Sequence, residues 1–203
     1  MKLFDGGRAP NPRRVRIYLA EKGLSVPLVP IDMGALGHKS EPVASRNPLK
    51  RLPVLELDDG TILTESIAIC RYFEELNPEP PMFGTGALGK ALVEMWQRRM
   101  ELNFLAVVAN AFRHIHNAMK EWEIPQIAEW GEANKPKALE FMAILDREFA
   151  SREFAAGDAY SVADITGLVA MDFLKPARIA VPDEFANVKR WHAAIAARPS
   201  AAA

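Results

Sequence analysis

Cysteine is nearly absent: Cys70 is the single one among 203 residues. It cannot close an internal disulfide, so no cystine framework holds this fold. No Asn-x-Ser/Thr acceptor occurs, and both absences fit a reducing, cytoplasmic compartment. Neither sign of charge dominates. The 25 Lys+Arg and 26 Asp+Glu leave a net charge of −1, which excludes the basic field of a nucleic-acid binder. Long apolar runs are missing too. The longest stretch without Asp, Glu, Lys or Arg is 11 residues, Leu102 to Phe112, against roughly 20 needed to cross a bilayer. Asp5 interrupts what a secretory signal would keep apolar.

Motifs for the common chemistries are also lacking. There is no His-Glu-x-x-His, no pair of cysteines and no Gly-x-Ser-x-Gly, so metal and serine-hydrolase chemistry have no anchor. His114 and His116 sit two apart, about 200° around a helix, and cannot share an ion. Gly84, Gly86 and Gly89 imitate a dinucleotide loop, but a Pro-rich stretch precedes them where that loop needs a strand. Cys70 falls mid-helix beside Ile69 and reads as a small buried hydrophobe.

What is present is an ordinary globular mixture, 49% hydrophobic and 25% charged. Its pattern divides into an α/β part and an all-helical part. Residues 1–77 read as β-α-β followed by β-β-α. Lys2 to Asp5 is a strand, Asn11-Pro12 caps and opens a helix that Gly23 stops, and Val26 to Ile31 is an edge strand with two prolines. Leu52 to Leu57 and Thr61 to Leu63 form a hairpin about Asp59-Gly60. Ile69, Tyr72, Phe73 and Leu76 mark the face of a second helix. Residues 78–89 read as a linker. Residues 90–203 read as helices: one from Ala87 towards Met119, one after Pro136, one opened by a capping box at Ser161-Val162-Ala163-Asp164, and one over 183–197. Ser200 to Ala203 are expected to fray.

Three features converge on a binding site. Pro53 opens a run that otherwise reads as a strand. Either its preceding peptide bond is cis, leaving the Leu52 backbone to pair with an extended ligand, or Pro53 is a trans residue at an edge-strand start. Glu65-Ser66 meets the next helix where amides favour an anion, either as plain dipole compensation or as a grip on an amino-acid zwitterion. Arg13, Arg14, Lys39, Lys50 and Arg51 together favour a small ligand bearing carboxylates.

The segments Arg13-Arg14-Val15-Arg16-Ile17-Tyr18-Leu19-Ala20-Glu21-Lys22-Gly23, Asn47-Pro48-Leu49-Lys50-Arg51-Leu52-Pro53-Val54-Leu55 and Asp59-Gly60-Thr61-Ile62-Leu63-Thr64-Glu65-Ser66 resemble the cytosolic glutathione S-transferases of bacterial type. Ser161-Val162-Ala163-Asp164 and the closing Trp191 to Ser200 are similar as well. The resemblance implies a thioredoxin-like N-terminal domain that binds glutathione and an all-helical C-terminal domain that shapes a second-substrate site. It implies a cytoplasmic homodimer that conjugates the glutathione thiol to small electrophiles, in detoxification, with glutathione as co-substrate and no metal. Leu52, Pro53, Glu65 and Ser66 would then hold the cysteinyl and γ-glutamyl parts, and Lys39, Lys50 or Arg51 the glycyl carboxylate.

The sequence departs from the family at one point. Residues 6–12 are Gly-Gly-Arg-Ala-Pro-Asn-Pro, without the thiol-activating Ser, Cys or Tyr. Asn11 is the neutral donor there, and its amide is expected either to stabilise the thiolate or only to cap the helix. A free thiol with pKa about 8.5 is ~3% ionised at neutral pH, and lowering it by two units takes roughly 2.7 kcal/mol. Arg99, Asn103, Phe104 and Val107 recur at helical spacing as the second-substrate wall. A glutathione-dependent disulfide reductase and a non-catalytic binding module on the same fold are the alternatives.

Overall fold

The computed structural model describes all 203 residues and divides into two units. The first comprises Met1–Met82 together with Pro199–Ala203, and the second Phe83–Arg198. No helix is long and apolar enough to cross a membrane.

The first unit is built on four strands, β1 (Lys2–Asp5), β2 (Leu28–Pro30), β3 (Val54–Glu56) and β4 (Ile62–Thr64), in the spatial order β2-β1-β3-β4. β2 lies at the edge, as its prolines require. β1 and β2 are parallel, with Asp5 opposite Pro30; β1 and β3 are antiparallel, with Phe4 opposite Val54; β3 and β4 are antiparallel, with Val54 opposite Thr64. Alternation along the strands gives each face its own core. Phe4, Val54, Leu52 and Val43 pack on one side with Val29, Ile31, Met33 and Ile62. Leu3 and Leu55 point to the other side and are fully buried. Two helices complete the unit, α1 (Pro10–Glu21) and α2 (Ser66–Leu76), packed on one another.

α1 starts two residues earlier than its sequence promises. Ala9 takes the cap position and Asn11 lies inside the first turn, so Asn11 caps nothing. The C-terminal tail is also ordered. Residues Pro199–Ala202 form a short 3₁₀ turn against α1, where Arg13 donates to the Ala201 carbonyl at 3.0 Å and the Ser200 hydroxyl bonds Glu21. These contacts hold residues expected to fray.

The second unit is all helix: α3 (Gly86–Arg99), a π-helical segment over Met100–Leu105, α4 (Ala106–Ile115), α5 (Ala128–Phe149), α6 (Val162–Phe173) and α7 (Ala186–Ala196). α3 begins inside the stretch that reads as a linker. Gly84 turns the chain into it with φ +79, where a Cβ would lie 2.5 Å from the Gly89 carbonyl oxygen. α5 begins eight residues before Pro136, contrary to expectation. Pro136 is exposed, while Gly131, Asn134, Ala138, Phe141, Met142, Leu145 and Phe149 form one continuous buried face through both halves of the helix. Burying that face outweighs the roughly 3 kcal/mol an interior proline costs.

α6 is buried from Val162 to Met171, the pattern of a central helix. Its predicted capping box is complete, with both reciprocal bonds between Ser161 and Asp164. Asp164 also accepts from the Ala155 amide at 2.8 Å and from Trp191 Nε1 at 3.0 Å. Trp191 in turn stacks on Phe149 with ring centroids 4.5 Å apart.

Candidate functional site

The sheet register gathers the segments singled out in the sequence. β1 and β2 run parallel, so the β1–α1 loop and the long loop after β2 leave from the same end. β3 is antiparallel to both, so its start, Leu52-Pro53, lies at that end. β4 reverses again, and Glu65-Ser66 follows it there. Asn11, the cations of residues 39–51, Leu52-Pro53 and Glu65-Ser66 therefore all belong to one edge of the first unit.

Each segment is held by identifiable contacts. Asp5, at the end of β1, accepts from the Gly7 amide at 2.8 Å and from the Arg16 guanidinium, which fastens the β1–α1 loop to α1. Gly6 lies so close to the start of β3 that a Cβ would be 3.3 Å from Leu52 Cδ1. The Leu52–Pro53 peptide is cis, and the Leu52 N–H and C=O bond to no other backbone group.

Asn47 shapes the turn that carries the cations. It is 2% exposed, accepts from the Leu49 amide at 3.0 Å and donates to the Arg51 carbonyl at 2.9 Å. Lys50 and Arg51 in this turn are exposed, as is Lys39 in the preceding 3₁₀ turn, and Lys50 stands in the left-handed region at φ +52. His38, beside Lys39, is buried, and burial together with the Lys39 charge pushes its imidazole below its ordinary pKa.

At the β4–α2 junction Glu65, not Ser66, takes the cap position, with φ +65 and ψ 115. A backbone there costs a non-glycine residue of order 1–3 kcal/mol. Its side chain is exposed and makes no capping bond, while Ser66 is the first helical residue and buried.

The first turn of α1 has an unusual donor inventory. Pro10 and Pro12 carry no N–H, and the Arg13 N–H bonds the Ala9 carbonyl. The Asn11 N–H is the turn's one remaining backbone donor, bonded to no carbonyl. The Asn11 side chain accepts at Oδ1 from Arg14 Nη2 at 2.8 Å. No acidic residue occupies this turn, so the helix dipole there favours an anion. Tyr18 and Cys70 are both fully buried. Burial and the Glu74 carboxylate keep the Tyr18 hydroxyl neutral, and burial pushes the Cys70 thiol up to about 12.

The helical unit treats its four named residues unequally. Phe104 is 0% exposed and packs against Phe141 with centroids 5.9 Å apart, so it is a core residue and lines no substrate site. Arg99 lies over Trp96 at 4.8 Å and, like Asn103, faces outward, while Val107 is half-buried. The cause is the π segment Met100–Leu105: one added residue rotates the remainder of the helix by about 100°, which breaks the spacing that groups the four. No group of three or more His, Cys, Asp or Glu is placed to hold a metal ion.

Residues 9–76 match the family model of the glutathione S-transferase N-terminal domain, and residues 95–199 that of its C-terminal domain. The chain belongs to the glutathione S-transferase family. Glutathione S-transferase 2 of Saccharomyces cerevisiae is 36% identical over 203 residues, 98% of this chain and 87% of that one. The crystal structure of Gtt2 from the same yeast superposes with a TM-score of 0.94 at 36% identity, covering 98% of both chains. A glutathione S-transferase domain-containing protein of Marinobacter aquaeolei superposes at 0.93 with 35% identity, covering 98% of this chain and 99% of that one. The two units are the family's thioredoxin-like and helical domains, and the chain is a glutathione-dependent transferase.

Asp5, His38 and Asn47 join the edge as residues that the sequence alone does not single out, and Arg14, read there as a cation for a carboxylate ligand, is buried and bonded to Asn11 instead. Asn11 and Arg14 stand at the i, i+3 spacing of facing helical side chains, which is a readable signal. The two Asn47 bonds to its own turn follow the local habit of Asn, which is a second.

Proposed function

We propose that this glutathione S-transferase binds glutathione along the strand-end edge of its first unit and activates the thiol with Asn11. The backbone of Leu52, beside Pro53, pairs with the cysteinyl residue. Glu65 and Ser66 receive the γ-glutamyl ammonium and carboxylate, and Lys39, Lys50 and Arg51 draw in the glycyl carboxylate. The thiolate meets the Asn11 N–H and Nδ2, where the dipole of α1 adds to two hydrogen bonds. Conjugation then proceeds as the thiolate sulfur attacks an electrophilic carbon and displaces its leaving group. Asn103 and Val107 on the helical domain are the side chains proposed to meet that electrophile, with Arg99 beside them. The observation that carries this reading is the sheet register, which sends all four segments out of one edge.

The enzyme works in the cytoplasm, in detoxification of small electrophiles. Its apolar stripe of Leu88, Leu92 and Met95, 73%, 36% and 37% exposed, is covered by a second copy of the chain in a homodimer.

Calorimetric titration with glutathione tests the site, and binding below millimolar concentration is expected. No binding at millimolar glutathione would return the fold to a docking role. Turnover of a model aryl halide is expected to exceed turnover of a model disulfide; the reverse would make the enzyme a disulfide reductase using the same thiolate.

A further inference from the structure

A side-chain amide has two unlike ends. For Asn11 to stabilise a thiolate, Nδ2 must face the sulfur, because Oδ1 would repel it. The two orientations have nearly the same shape, so packing alone discriminates poorly between them. Arg14 supplies the missing discrimination. Its Nη2 donates to Asn11 Oδ1 at 2.8 Å, and a guanidinium carries only donors, so the amide cannot turn Nδ2 towards it. Arg14 is 3% exposed, a fixed group inside the N-terminal unit rather than a solvated cation. Asn11 Nδ2 is left without a partner inside the protein and open to solvent. The guanidinium also polarises the amide it binds, which strengthens the donor at the far end.

We propose that Arg14 is the positioning residue for the transferase reaction, locking the Asn11 amide with its N–H groups presented to the glutathione thiol. This rests on the assignment of the thiol to Asn11. A merely structural Arg14 would change stability and leave the bound thiol alone, and a guanidinium acting only through its charge would not need Asn11.

The test is thiolate absorbance of enzyme-bound glutathione titrated against pH. The wild type is compared with Asn11→Ala, Arg14→Met, Arg14→Gln and the double variant Asn11→Ala/Arg14→Met. Arg14→Met keeps much of the length of the side chain and removes its donors. It is expected to raise the bound thiol pKa by about half to one unit, leaving roughly three- to tenfold less thiolate at a fixed pH below it. In the Asn11→Ala background the same replacement is expected to add no further shift. Arg14→Gln keeps a donor for Oδ1 without the charge, and is expected to return the pKa to the wild-type side of Arg14→Met. If Arg14→Met does not fold, the same comparison is made with Arg14→Gln, whose pKa is expected to stay below that of Asn11→Ala. An equal rise with and without Asn11 would show that Arg14 acts as a bare charge and overturn the positioning role. A wild-type pKa in Arg14→Met, alongside a raised one in Asn11→Ala, would overturn it while leaving Asn11 as the thiol's partner. An unshifted pKa in Asn11→Ala would instead remove the underlying assignment, a result separable from the other two.

Discussion

The Tyr18 hydroxyl donates to the Glu74 carboxylate at 2.5 Å, joining α1 to α2, and the Lys22 ammonium closes on the same oxygen. The Lys22 side chain has no solvent exposure and also donates to the Asn77 and Pro80 carbonyls. Removing the carboxylate leaves a buried cation without its counter-charge. Glu74→Ala is expected to lose about 3–5 kcal/mol in urea unfolding. Tyr18→Phe is expected to lose about 1.5–3 kcal/mol and to keep kcat per folded molecule. A fall in kcat with Tyr18→Phe would mean that the family's tyrosine chemistry persists here at a displaced position.

Glu65 separates binding from folding in a second way. Its carboxylate is proposed to meet the glutathione ammonium, and its backbone is strained at φ +65. Glu65→Gly is therefore expected to raise stability by about 1 kcal/mol, since glycine relieves the strain. The same variant is expected to weaken glutathione binding by about 1.5–3 kcal/mol, the value of a hydrogen bond to a charged group. Calorimetry and thermal unfolding on one preparation read both. Unchanged affinity would reduce Glu65 to a cap residue.

Asp164 gives a pH dependence of defined sign. Burial raises its carboxyl from 3.8 to about 6, against the pull of its donors at Ala155, Trp191 and Ser161. The folded protein thus holds this proton more tightly than the unfolded chain, and folding takes up a proton between the two values. The stability this group contributes is fully present below about pH 4 and is lost as pH rises through about 6. Stability of the wild type minus that of Asp164→Asn, measured by urea unfolding, is expected to fall over that window and level off above it. A difference that rises with pH would contradict the assignment.

The apolar stripe on α3 makes the fourth prediction. Leu88→Glu combined with Leu92→Glu places two charges where a second copy is proposed to dock. Sedimentation at micromolar concentration is expected to show the mass halved relative to the wild type, with unfolding free energy within about 0.5 kcal/mol per exposed site. A wild-type sample already sedimenting as a monomer would remove the dimer.

Where local rules and burial agree, the sequence is enough. β1, the hairpin of β3 and β4, and the Ser161–Asp164 box all carry their pattern in adjacent residues. Leu52-Pro53 and Glu65-Ser66 are legible because each breaks a local rule, a proline opening a strand and an acid ahead of a helix. What escapes is decided over distance. Pro136 resembles a helix start because its cost is local, while the buried face that outweighs it spans α5. A 3.6-residue spacing places Phe104 in the substrate wall, and the π segment that turns it inward has no marker in Met100–Leu105. The cap expected of Asn11 fails because Ala9 needs no side chain to occupy the position, which leaves the amide for Arg14.

The tail of the chain gives the architecture a further property. The polypeptide leaves the first unit after Met82 and returns to it at Pro199, which makes the helical unit an insertion within the thioredoxin-like one. A single protease cut between residues 77 and 85 would therefore not part the two halves, because residues 199–203 remain gripped through Arg13 and Glu21. The nicked enzyme is expected to behave as a fragment complementation pair, with residues 199–203 as one of its anchors.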